Sequence, residues 1–217
     1  MSSTLGPLEY ASQVYNKVDV LSPPKQLLFE VGLCEILVVL VADLAADEDT
    51  STLAAYQNAL DAIRVIDQKG TPQSKRLVKM ARQTVEALIP DDDDARAWRW
   101  TTALWQNAGI SIYYTCGVVL GDQQSGFPLT HYIEAMDHII QVTSSLNTPL
   151  PLSLIQLPPI MLHAHHMITD MIQTLESLVL SPDAVAEYYK QVDDGGHSLA
   201  SMAKQLRDEA RNRGVKI

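Results

Sequence analysis

The stretch that decides the fold is "WTTALWQNAGISIYYTCGVVLG", residues 100–121, which runs twenty-two residues without one charged side chain. At 100° per residue, Trp98, Trp105, Ile112, Cys116 and Val119 share one face of a helix. Trp100, Ala103, Leu104, Ile110, Tyr114 and Val118 cover the other. A helix that is apolar all round must be enclosed on every side, so the stretch predicts a central helix over about 95–120. Gln106, Asn107, Gly109, Ser111 and three threonines dilute it too far for a membrane span, which needs about 20 predominantly apolar residues.

Working outward, the remaining segments also have helical patterning. "LSPPKQ" offers Ser22 as an N-cap with Pro23 and Pro24 in the first turn, opening a helix that includes "ILVVLVA" and runs to about Ala46. "ADEDTS" ends it and supplies the cap of a next helix with Leu53, Leu60, Ile63, Val65 and Ile66 at helical spacing, closed by Gly70. Pro72 opens a third, whose expected inner face is Leu77, Met80, Val85 and Leu88. The run "PDDDD" before the tryptophan-rich helix resembles a magnesium motif, but no second acidic motif accompanies it. First-turn carboxylates are favoured by free N–H groups, so it reads as a cap. "LTHYIEAMDHIIQVTSSL" predicts an amphipathic helix burying Leu129, Tyr132, Met136, Ile139 and Ile140. After a proline-rich connection comes a helix rich in histidine, and residues 181–213 predict two more helices, broken at Gly195 and Gly196 with Ser198 as the second N-cap. No two-residue alternation marks a strand. The expected fold is all-α, a single domain over 1–217 with about eight helices arrayed around the central one.

The composition narrows function. The formal charge of −10 and pI near 4.9 argue against direct nucleic-acid binding, which depends on clustered Lys and Arg. The local basic groups, Lys75, Arg76, Lys79 and Arg82, and Lys204, Arg207, Arg211 and Arg213, read as solvated helix faces. Cys34 and Cys116 lie in apolar stretches and read as buried thiols in a reducing compartment. "MSSTLGPLEYASQVYNK" has no basic start followed by an apolar core, so neither secretion nor membrane insertion is expected.

Two segments resemble a known family. "VDVLSPPKQLLFEVGLCEILVVLVADLA" from Val18 resembles the "VD-x-L-L-G-x-P-x-E-L" opening of the fungal-specific regulatory domain that follows the zinc binuclear cluster in many fungal transcription factors. The "W-x-x-A-x-x-x-Y" pattern of that domain, with its following leucine–glycine, is resembled by Trp105 and Ala108, with Ile112 at the tyrosine position and Tyr113 one residue on, and by Leu120 with Gly121. The resemblance covers roughly 18–175 and rests on packing motifs. The chain departs from the family at "LPPIMLHAHHM", where the family has "W-P-L-F-x-A-G-C-E-A", and at the zinc cluster, whose six cysteines and basic segment it lacks. The resemblance implies a regulatory domain in nucleus or cytoplasm that receives a small effector or a protein partner and has no DNA reader of its own. Homodimerisation through an exposed apolar helix face is a further expectation.

Of the chemical motifs, only histidine has spacing with geometric content. Residues 157–171, "LPPIMLHAHHMITDM", hold three of the six histidines. His163, His166 and Asp170 fall on one helical stripe with Thr174 beside them, and His165 points nearly the other way. On the preceding helix His131, Glu134 and His138 form a second stripe. Facing each other, the two stripes would suit zinc or a non-haem metal, and a metal-dependent enzyme on a helical scaffold is the alternative reading. Both stripes border the apolar arcs, and such edges normally face water, with His165 the one expected to be partly buried. No serine sits in a glycine-flanked elbow and no phosphate loop follows a strand. The preferred reading is therefore non-catalytic, with ligand contacts beside the central helix at Trp98, Trp105 and Tyr113.

Overall fold

The computed structural model describes residues 7–65, 71–90, 100–123, 126–144 and 158–215. Among them the chain is all-α: α1 (Pro7–Val18), α2 (Pro23–Ala45), α3 (Thr50–Arg64), α4 (Pro72–Leu88), α5 (Thr102–Leu120), α6 (Phe127–Ser144), α7 (Pro159–Ser177) and α8 (Pro182–Asn212). Gly70, Asp91–Asp94 and Trp98, for which the sequence predicts roles, lie outside the described residues. No helix among the described residues is long and apolar enough to cross a membrane.

Two helices share the centre. α5 packs against α2, α3, α4 and α6, burying Leu104, Trp105, Ala108, Ile112 and Cys116. α2 touches α3, α5, α6, α7 and α8 and is almost wholly enclosed from Phe29 to Val41. Both run apolar on every face because both have neighbours on every face. Cys34 and Cys116 are free, buried thiols, and Cys34 Sγ lies 3.3 Å from Thr115 Oγ1, a polar contact between the two central helices.

Side-chain caps from the local sequence start three of the helices, α3, α4 and α8. Asp49 caps α3 by accepting from the N–H groups of Ser51 and Thr52 and from both hydroxyls, which holds its carboxyl down at about 2. Thr71 caps α4 through Ser74 N, and Ser181 caps α8 through Ala184 N. Ser22 occupies the N-cap position of α2, but its side chain makes no capping bond. The junction is held instead by Gln26, whose amide donates to the carbonyls of Val18, Asp19 and Leu21 at the end of α1. Gly121 ends α5 at φ +81°, the left-handed cap that glycine adopts without strain.

Three expectations fail. The break at Gly195 and Gly196 does not occur: α8 runs unbroken for 31 residues and Ser198 lies inside it. The glycines serve packing, since a Cβ on Gly196 would stand 3.1 Å from Val39 Cβ and one on Gly195 would stand 2.5 Å from Met167 Cε. Each costs the helix roughly 0.5–1 kcal/mol, offset by the close approach of α8 to α2 and α7. On α4, Leu77 and Met80 are 49% and 54% exposed, because the inward stripe is Val78, Ala81, Val85 and Leu88, one position round the wheel. On α3, Val65 is exposed at the helix end, and Tyr56 and Ala59 join Leu60 and Ile63 in the core.

Candidate functional site

The two histidine stripes face different neighbours. On α6, Leu129, Tyr132, Met136 and Ile139 are buried, and Tyr132 donates its hydroxyl proton to Ala164 O of α7 at 3.3 Å. The His131 stripe lies round the helix from that contact and meets α5 and Trp100, two residues before it. His131 Nδ1 is 3.0 Å from both Asn107 Oδ1 and Glu134 Oε2, two acceptors that place the ring proton on Nδ1. His138 Nε2–H donates to Trp100 O at 2.7 Å.

On α7, His163, Asp170 and Thr174 line up as the wheel predicts, but they face α8. His166 is exposed, and His165 stacks on Tyr10 of α1 with ring centroids 3.7 Å apart and planes at 13°. Burial of His165 pushes its pKa down to about 4, with His166 adding to the effect. The convergence of His131, Glu134, His138, His163, His166 and Asp170 therefore does not form: one stripe binds into α5 while the other borders α8. No cluster of three or more His, Cys, Asp or Glu side chains suited to a metal occurs among the described residues. The sixth histidine, His197, bonds to Asp43 of α2 at 2.9 Å.

The aromatic residues are also parted. Trp105 is buried edge-on against Tyr56 of α3, whose hydroxyl donates to Trp105 O at 3.2 Å. Tyr113 lies beneath the Arg82 guanidinium of α4 at 4.2 Å, and Arg82 pairs with Asp122 at 2.7 Å. These two rings pack against different helices, Trp105 against α3 and Tyr113 against α4.

A cleft of about 270 Å³ opens instead between α7 and α8. The helices run antiparallel there, since Met167 sits by Gly195 while Met171 and Tyr188 both close on Gly32. Met167, Met171, Tyr188 and Val192 form its apolar lining, and His163, Asp170, Thr174 and Gln191 supply its polar groups. Tyr188 is occupied, donating to Leu28 O at 3.3 Å. His163 is not: its Nε2 is buried and has no hydrogen-bond partner among the described residues. A buried nitrogen without a partner costs free energy of about 1–3 kcal/mol unless something outside the chain satisfies it. The sequence shows the α7 stripe, but Gly195, Gln191 and Val192 are invisible as site residues until α8 is known to be continuous.

A second buried polar group also escapes the sequence reading. Glu30 of α2 is 2% exposed, with Oε1 accepting from Gly126 N at 2.6 Å and Oε2 buried without a partner. Burial pushes its pKa up to about 7, against the opposing pull of the Gly126 N–H. The same residue is held from α1, where Tyr15 donates to Gly126 O and lies 3.1 Å from Thr130 Oγ1. Glu30 thus ties the turn between α5 and α6 to the core. Its signal is a lone carboxyl inside an apolar run, "LLFEVGL".

No family model, curated protein or solved structure matches the chain.

Proposed function

We propose that the chain is a non-catalytic, effector-binding helical domain whose small-molecule site is the cleft between α7 and α8. The observation that carries this reading is His163 Nε2, a buried nitrogen without a partner beside an apolar floor and three further polar side chains. Pockets that bind small molecules have this make-up, apolar walls with a few placed polar groups. Methionines at 167 and 171 add adaptable walls, because their unbranched side chains repack around differing shapes.

In this reading the domain acts as a regulatory module of the kind found in fungal transcription regulators, in nucleus or cytoplasm, through its effector and a protein partner. The enclosed packing of Trp105, Ala108 and Ile112 on α5 supports the resemblance, and the charge of −10 supports a module that does not grip DNA directly. The test is carbon-13 methyl spectroscopy of methionine-labelled protein titrated with a library of small amphipathic molecules. Binders are expected to shift the Met167 and Met171 methyl signals and to leave exposed Met80 unmoved. Binders that consistently leave the first two unmoved would overturn the reading.

A further inference from the structure

We infer that the α7–α8 cleft selects an organic cation: a molecule with an ammonium group at one end, an apolar body and a second hydrogen-bonding group at the other. The inference rests on the effector-binding reading and adds the chemical class to it.

The charge of the cleft comes from one group. Among the described residues Asp170, an exposed side chain at its edge, is the single charged group lining it, with no lysine or arginine in the lining. A carboxylate bound there would meet repulsion with no compensating cation, and removing it from water would leave its charge unpaired. An ammonium group meets the opposite situation, since an ionised aspartate accepts and never donates. The rest of the chain favours the same choice, because a net charge of −10 raises the local concentration of cations.

The second recognition point is His163. It stands seven residues before Asp170 on the same face of α7, two turns away and roughly 10 Å along the axis. Its Nε2 accepts a hydrogen bond when Nδ1 carries the ring hydrogen, so a hydroxyl or a second amine donating from the far end of the ligand would satisfy it. Between the two polar ends α7 presents Met167, and Val192 of α8 faces the same space. That intervening surface is apolar, which suits an alkyl or ring body and gives no partner to a chain of hydroxyls. Gln191 and Thr174 supply either donors or acceptors near the Asp170 end and do not decide the sign of the charge.

Three probes of one length separate the possibilities: aminohexanol, hexanediol and hydroxyhexanoate, each titrated into the methionine-labelled chain. Aminohexanol is expected to shift the Met167 and Met171 methyls and to bind about threefold to fivefold more tightly than hexanediol, the increment of one ion pair to an exposed carboxylate. Hydroxyhexanoate is expected to bind most weakly. Asp170→Asn should bring aminohexanol to the level of hexanediol, and His163→Phe should weaken both. If hydroxyhexanoate binds as well as aminohexanol at these methyls, or if the preference for the amine survives Asp170→Asn, the cation inference is overturned while the cleft remains a site. If none of the three moves either methyl, the effector-binding reading falls with it.

Discussion

On α6, His131 and His138 turn toward α5 and each finds a partner there, Asn107 Oδ1 for one and Trp100 O for the other. On α7, His163 turns toward α8 with the same helical logic and finds a cleft. The two stripes have similar composition and similar spacing, yet one is absorbed into the scaffold and the other has a nitrogen left over. What separates them is the neighbour: α5 offers an amide oxygen and a carbonyl just before its first turn, while the facing stretch of α8 offers Val192 and Gly195. Histidine at an apolar edge is therefore ambiguous in one dimension. Its role depends on whether the helix across from it brings an acceptor.

The largest effect is expected at Glu30, whose buried Oε2 also lacks a partner among the described residues. Its carboxyl titrates at about 7 in the folded chain, above its ordinary value, so the fold favours the protonated form. The resulting stabilisation is complete below the unfolded pKa near 4.5 and is lost as pH rises through about 7. In urea denaturation wild type should lose stability relative to Glu30→Gln between pH 5 and pH 8; His165, held down at about 4, works the other way in both proteins and cancels in that comparison. Glu30→Gln should exceed wild type at pH 8 by about 2–3 kcal/mol. The same pH dependence in both proteins would mean that Glu30 is not the group responsible.

Next in size are the partnered histidines. His131→Ala and His138→Phe each strand a part-buried acceptor, and each is expected to lower stability by about 1–3 kcal/mol in the same denaturation experiment. The smallest loss is expected at His163, where Phe removes a nitrogen that bonds to nothing among the described residues. His163→Phe should lose no stability and should gain up to the about 1–3 kcal/mol that the unsatisfied nitrogen costs. A loss as large as that of His138→Phe would erase the distinction between the two helices.

Much of the fold is legible in the primary structure because its determinants act over a few residues. The stretch "ADEDTS" is readable as the cap of α3, where Asp49 performs it, and the buried arcs of α5, α6 and α7 follow the helical period, whereas Ser22 makes no capping bond and Ser198 lies inside α8. Where local rules compete, the reading slips. Gly195 and Gly196 resemble a helix stop by propensity, and only the contact with Val39 and Met167 shows why the helix continues. Leu77 and Met80 look like core by hydropathy, yet the stripe one residue further on meets α3 and α5. Trp105 and Tyr113 look like pocket walls by type, and their neighbours are Tyr56 and Arg82.

Helix type, helix starts and the division of the histidines among stripes were settled within single turns of chain, where hydrogen bonds reach four residues and side chains recur every 3.6. Which stripe was consumed and which left open was settled by helices far apart in sequence, α6 against α5 and α7 against α8. A side chain's direction from its own helix is a local property. The atom waiting at the end of that direction belongs to another helix, and its position follows from how all eight helices bury their apolar faces together.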